Sequence, residues 1–305
     1  MEPELLVGWI GIGKMGSPMS RRVLNSGIPV TVLEPLAENR AAVVAEGANV
    51  VGSCRELAEA ASIAISTVPN DAVLREVVLG PDGLARHLRQ GQIFVEMSTV
   101  SPSVSAEIAS TLANTGVHYL RAPVSGSTST ASAGKLTVLA SGPKAAFDLC
   151  LPVFQCISAK QFHVGVAEEA RYAKLMLNAL VGATSALLGE ALALGQKGNL
   201  SMETMLDVIT ESAVASPLIA YKRDVLLSRN FDPAFSVSQM IKDFDLILDA
   251  AKSDHVPMQL VALIRQQYEA AFVNRLGERD FFILVEQSAR LAGLEHSRAD
   301  ARPAD

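Results

Sequence analysis

The sequence predicts an α/β domain with a mostly parallel sheet, joined by a long helix to an all-α C-terminal domain. Three observations lead there. Short β-branched runs alternate with amphipathic stretches through the first half of the 305 residues. A glycine turn, Gly11-Ile12-Gly13-Lys14-Met15-Gly16, separates the first apolar run from the first amphipathic stretch. Beyond about Gly165 the strand pattern stops and long helical periodicity replaces it. These shifts divide the chain into 1–164, 165–293 and a polar, charged tail, 294–305, that is expected to fray.

Leu5-Leu6-Val7 and Trp9-Ile10 read as the first strand, and Met19, Val23 and Leu24 mark one face of the first helix. In the turn between them Gly11 permits the tight bend and Gly13 lets backbone approach a pyrophosphate. Gly16 lets the helix pack closely on the strand. The helix N-terminus offers unpaired N–H groups and the positive end of its dipole to phosphate. Strand, glycine turn and helix in this order make a Rossmann dinucleotide site, to which Ile12, Lys14 and Met15 also belong. Gly27 ends the helix turn, and Pro29 to Leu33 form a second strand finishing at Glu34. An acid there, about 20 residues past the loop, accepts the adenosine ribose hydroxyls and repels a 2′-phosphate. The cofactor is therefore NAD or NADP, with NAD favoured; Arg40, a turn further on, softens that preference.

Further strands fall at Ile63–Thr67, Ile93–Glu96, Val117–Leu120, Lys135–Ala140 and around Gln161–His163, for a sheet of six or more. Parallel strands present their C-terminal ends to a ligand crevice. Three such ends carry polar loops: Thr67-Val68-Pro69-Asn70, Met97-Ser98-Thr99 and Ala122-Pro123-Val124-Ser125-Gly126-Ser127. Each is also ordinary turn chemistry. Ser125-Gly126-Ser127 is the most suggestive, because two hydroxyls around a glycine suit a carboxylate.

The second half opens with a helix from about Glu168 to Lys197, roughly 40 Å long at ~1.5 Å per residue. A helix of that length is expected to bridge the two domains. Helices at 202–212, 216–228, 235–253, 258–274 and 281–292 follow. Ala173 to Gly195 is apolar enough to resemble a membrane span, but Lys174, Asn178 and Glu190 argue against one. Lys174 and Asn178 lie four apart and share a helix face among Leu175, Met176, Leu177 and Ala179. Apolar surroundings disfavour the ammonium and suit a proton exchanged near neutral pH. Spacing alone favours a snorkelling lysine beside a packing asparagine.

Net charge is −6 and no basic cluster stands out, so no nucleic-acid partner is expected. Cys54, Cys150 and Cys156 lack paired spacing and the five histidines are scattered, so no metal is expected. The first strand starts too early for a signal peptide, and a cytoplasmic location is expected.

The chain resembles the β-hydroxyacid dehydrogenase family, which includes 3-hydroxyisobutyrate dehydrogenase and short-chain semialdehyde reductases. The resemblance rests on Gly11-Ile12-Gly13-Lys14-Met15-Gly16-Ser17-Pro18-Met19, Ala122-Pro123-Val124-Ser125-Gly126, Lys174-Leu175-Met176-Leu177-Asn178 and Lys242-Asp243, in the family's order across nearly the whole chain. It implies a catalytic lysine at Lys174 with Asn178 one turn on. It implies a substrate-carboxylate loop at Ser125 and Gly126, and Ser127 beside them is expected to anchor the same carboxylate. Val68, Pro69 and Asn70 fall where cofactor ribose is contacted, and Thr99 near the nicotinamide. Lys242 reaches substrate and cofactor from the helical domain, which dimerises. Three positions depart from the pattern. Arg121 replaces an aspartate, Ser127 a second glycine and Leu177 an asparagine. Arg121 either receives an extra anionic group or is a structural surface exchange. The expected reaction is hydride transfer between NAD(P) and a small β-hydroxy acid or its semialdehyde, with a homodimer or homotetramer as the assembly. Imine reduction on the same scaffold and nucleotide binding without turnover are the alternatives. Lys174 argues against the first, and Lys174, Asn178 and Lys242 together against the second.

Overall fold

A computed structural model describes residues 5–294, in two compact units that divide at Met176/Leu177. The expected boundary at 164/165 coincides with the end of the last strand. The units divide a dozen residues later, inside the long helix. The expected tail, from residue 295 on, lies outside the described residues.

In the first unit the elements run β1 (Val7–Ile10), α1 (Gly16–Asn25), β2 (Val30–Leu33), α2 (Ala37–Ala45), β3 (Asn49–Val50), α3 (Cys54–Ala60), β4 (Ile63–Ser66) and α4 (Asp71–Leu79). Then come β5 (Ile93–Glu96), α5 (Pro102–Leu112), β6 (His118–Arg121), β7 (Val124–Ser125), α6 (Thr128–Ser132), β8 (Leu136–Ser141), α7 (Lys144–Ile157) and β9 (Ser158–Gly165). The nine strands form one sheet in the order β3-β2-β1-β4-β5-β6-β8-β7, with β9 added beside β8. β1 through β6 pair in parallel, and β8 runs antiparallel to β6 and β7.

Strands β1, β4 and β5 are buried along their whole length, as strands covered on both faces must be. One core layer packs Trp9, Met19, Val23, Val138 and Phe154 together. The other packs Leu57, Leu74, Phe94, Ile108 and Tyr119, with the Phe94 and Tyr119 rings stacked at 5.5 Å. The helices start where a side-chain oxygen accepts from the third backbone N–H of the turn. Ser53 caps α3 through Glu56 N at 3.2 Å, Asn70 caps α4 through Val73 N at 3.0 Å, and Ser101 caps α5 through Val104 N at 3.1 Å. Because those caps follow strands, they bring the polar loops to the C-terminal edge of the sheet.

The long helix α8 runs Glu169–Lys197, one residue from its expected start, and is followed by α9 (Met202–Thr210), α10 (Pro217–Ser228), α11 (Val237–Ser253), α12 (Gln259–Ala271) and α13 (Leu284–Leu291). Half of the most apolar window of α8 is buried within the protein. In the second unit Gly182 is needed for close approach: a Cβ there would lie 2.3 Å from the Phe244 ring. Tyr268 packs edge-on against Phe244 and donates to Gly182 O at 3.0 Å. The expected helix over 258–274 stops early. After Ala271 the chain makes a π turn, and Asn274 and Arg275 leave helical geometry.

Candidate active site

The glycine turn is held by its neighbours on β1 and β4. Gly11 has φ 85°, and a Cβ there would sit 2.2 Å from Thr67 O. A Cβ on Gly16 would sit 2.0 Å from Gly11 O, so α1 starts against bare backbone. Thr67 Oγ1 accepts from Trp9 Nε1 at 2.9 Å and donates to Gly11 O at 2.5 Å, which locks the turn to the end of β4. Gly13 differs. Nothing lies within 4 Å of where its Cβ would be, so an open cradle faces the start of α1. No side chain caps that helix at Met15. Ser17 N is taken by Gly13 O at 3.0 Å and Pro18 has no N–H, so it is the turn backbone from Gly13 to Gly16, beside the open glycine, that fits the pyrophosphate of a dinucleotide.

Glu34, only 7% exposed, stands beside this cradle. Its two carboxylate oxygens accept from Ile12 N at 2.9 Å and Leu36 N at 3.0 Å. Arg40 Nη1 donates to the carbonyls of Glu34 and Pro35, at 2.6 and 3.1 Å. The arginine thus folds back on its own backbone, and Lys14 is exposed at the turn.

Behind the loops that follow β4 and β5 lies a buried charged network that sequence reasoning missed. Glu96, at the end of β5, pairs with Arg171 on α8, and both are essentially inaccessible to water. Glu96 also accepts from Ser98 N at 2.7 Å, and Ser98 Oγ accepts from Val68 N at 2.7 Å. Arg171 Nη1 donates to Ser98 O at 3.0 Å, and its guanidinium reaches Tyr119 Oη at 3.3 Å. Burial opposes the charge on Arg171, but Glu96 and Tyr119 outweigh it and raise its pKa; burial likewise raises that of Tyr119. One network therefore ties the loop at Val68-Pro69-Asn70 to the first turn of α8. Lys174 is half-buried one turn further along that helix, and Thr99 is half-buried just past Ser98.

Arg121 joins the same cluster. Its Nε donates to Glu168 at 2.9 Å and its guanidinium lies 4.3 Å from the Tyr119 ring centre. Of the two expectations for this residue, neither holds fully: it is structural, but buried and paired rather than at the surface. Together, Glu168 and Arg171 clamp the start of α8 onto β5 and β6.

Ser125 lies on β7, opposite Thr137 of β8. Gly126 has φ 141°, and a Cβ there would meet Thr130 Oγ1 at 2.5 Å. Ser127 caps α6 in a reciprocal box with Thr130, with its hydroxyl 2.8 Å from that of Ser129. Its side chain is thereby committed to the turn, which explains a serine where a glycine was expected.

In the second unit Asn178 is buried and donates to Asp243, on α11. Lys242 Nζ lies 2.8 Å from the same carboxylate. Asp243, itself fully buried, thus orients both residues. The sequence signal was present in Lys242-Asp243, but the adjacency does not say what the acid holds.

Two family models cover most of the chain. Residues 6–165 match the NAD binding domain of 6-phosphogluconate dehydrogenase. Residues 169–287 match the NAD-binding domain of NADP-dependent 3-hydroxyisobutyrate dehydrogenase. The 2-(hydroxymethyl)glutarate dehydrogenase of Eubacterium barkeri is 34% identical over 97% of this chain and 99% of its own length. Glyoxylate/succinic semialdehyde reductase 1 of Arabidopsis thaliana is 29% identical over 92% of this chain and 97% of its own. Among solved structures, a 3-hydroxyisobutyrate dehydrogenase from Salmonella typhimurium superposes with a TM-score of 0.83 at 28% identity, covering 93% of this chain and 99% of that one.

Proposed function

The chain belongs to the β-hydroxyacid dehydrogenase family, and we propose that it moves a hydride between NAD(P) and a small β-hydroxy acid or its semialdehyde. Membership makes it an NAD(P)-dependent dehydrogenase or reductase acting on CH–OH groups. The observation that carries the finer reading is the Glu96–Arg171 network, which joins the loop at Val68 to the helix turn preceding Lys174.

A nicotinamide dinucleotide held by the glycine turn would supply the two-electron hydride acceptor or donor. Lys174 Nζ takes the hydroxyl proton as the carbon gives up its hydride, and gives it back in the reverse direction. Ser125 and the backbone at Gly126 hold the carboxylate, with Ser127 setting the turn. Asp243 orients Asn178 and pairs with Lys242, and the family resemblance assigns both of these residues to the reaction. The Gly13 cradle and the start of α1 take the pyrophosphate; Glu34, Val68, Pro69, Asn70 and Thr99 complete the cofactor contacts. Glu34 favours NAD, because a 2′-phosphate would meet a buried carboxylate and Arg40 is turned onto backbone carbonyls. A cytoplasmic location is proposed with this function, where Cys54, Cys150 and Cys156 stay reduced. A homodimer or homotetramer through the helical unit is supported by its exposed Leu187, Leu194, Leu260 and Val273.

The test is nicotinamide absorbance against a panel of 2- and 3-hydroxy acids and short semialdehydes, with NAD and NADP in parallel. Lys174→Ala is expected to lower kcat by about 10²–10⁴ while leaving nucleotide affinity intact. Undiminished turnover in that variant removes the lysine from the mechanism. Silence across the whole panel, with nucleotide still bound, favours nucleotide binding without turnover.

A further inference from the structure

An open surface pocket of about 370 Å³ on the helical unit is lined by four exposed arginines: Arg229, Arg275, Arg279 and Arg290. Its volume falls in the range of small-molecule sites, roughly 300–1,000 Å³. Glu286 is the single carboxylate in the lining, so four formal positive charges meet one negative charge, a local excess of three. The chain as a whole carries −6. Glu286 pairs with Arg229, and Asp232 outside the lining stands 3.9 Å from Arg279. Among the described residues, no carboxylate pairs with Arg275 or Arg290.

Backbone geometry points the same way. Four non-glycine residues among those described have positive φ: Asn199, Arg229, His255 and Arg275. Two of these four line this one cavity. Arg229 ends α10 at φ 57°, where glycine is the usual residue, and Arg275 lies within the π turn over Phe272–Leu276 at φ 63°. A β-carbon is penalised there, and Arg has no local hydrogen bond to offset it, unlike Asn or Asp. The two left-handed positions thus both bring a guanidinium to this one pocket. Guanidinium forks match oxyanions two bonds at a time. Phe231 supplies an apolar wall.

We propose that this cavity binds a compact oxyanion carrying two or more phosphate or carboxylate groups, separately from the glycine turn. The experiment is calorimetric titration of the full chain at low salt with inorganic pyrophosphate, tripolyphosphate and citrate, repeated in saturating NAD. At least one probe is expected to bind with Kd below about 1 mM. The double variant Arg275→Gly, Arg290→Ala should weaken it tenfold or more, whereas Arg86→Ala, an exposed arginine of the first unit, should not. Glycine accepts the left-handed backbone, so the double variant should melt no lower than the parent. Binding by phosphates alone or citrate alone identifies the group recognised. The proposal is overturned if no probe binds the parent protein, if parent and double variant titrate alike, or if Arg86→Ala weakens binding equally. A change of oligomeric state without a change in titration also overturns it, and makes the face a subunit contact.

Discussion

The two units build their polar centres in different ways. Around the glycine turn the first unit relies on bare backbone: Gly11, Gly16 and Gly126 stand where any β-carbon would strike a neighbour. The helical unit relies on buried side chains that meet across long sequence separations, as Asn178 meets Asp243 and Lys222 meets Asp280. Lys222 Nζ sits 2.7 Å from Asp280, fully buried and within 5.1–5.3 Å of the Tyr221, Phe281 and Phe282 ring centres. Backbone sites fail through sterics and charged sites fail through desolvation. The Glu96–Arg171 pair shows that the first unit also uses the second device, at the point where α8 begins.

The largest expected effect probes that shared device. Removing one partner of a buried pair strands a charge, so Asp280→Ala and Arg171→Met should each cost about 3–5 kcal/mol in urea unfolding. Replacing both partners by apolar residues should recover much of that loss. A small effect from Asp280→Ala alone would break the contrast.

Next comes the backbone device. Gly16→Ala places a methyl 2.0 Å from a carbonyl oxygen that has nowhere to go, and should cost about 1–3 kcal/mol with loss of nucleotide binding. Gly13→Ala meets only open space, so it should leave the melting temperature unchanged and weaken nucleotide affinity alone. Equal destabilisation by the two would show that the cradle at Gly13 is closed.

A smaller shift is expected at Glu34→Gln. Removing the charge should move the NAD-to-NADP affinity ratio toward NADP by about tenfold, near 1.4 kcal/mol. Fluorescence titration with both nucleotides reads it, and an unchanged ratio would deprive Glu34 of its discriminating role.

Last is pH. Burial pushes the Cys150 thiol up to about 12 from an ordinary 9.0. Between those values the unfolded chain releases the thiol proton and the folded chain keeps it. Stability is therefore fully present below pH 9 and falls as pH rises above it, by at most about 1.4 kcal/mol per unit. Urea unfolding at pH 9 and pH 10 should show this slope, and Cys150→Ala should flatten it.

Much of the fold was legible along the chain. The strands at 63–66 and 93–96 were readable because β-branched runs between turn formers leave few alternatives. The start of α8 was placed within one residue, since its periodicity is unbroken over 29 residues. The short β3 and β7, two residues each, carry too little pattern to be seen. The end of α12 was misplaced because helical spacing continues past Ala271 while the backbone turns away.

Where glycine must stand and which strands alternate with helices can be read along the chain, because those demands are local. Gly11, Gly13 and Gly16 are required by turns only a few residues long. What Glu96, Arg121, Arg171 and Asp243 hold follows from packing between distant segments. Arg171 and Glu96 are 75 positions apart, and Asn178 and Asp243 are 65 apart. A buried charge takes its meaning from the partner that folding brings to it, and no spacing rule along the chain encodes that partner.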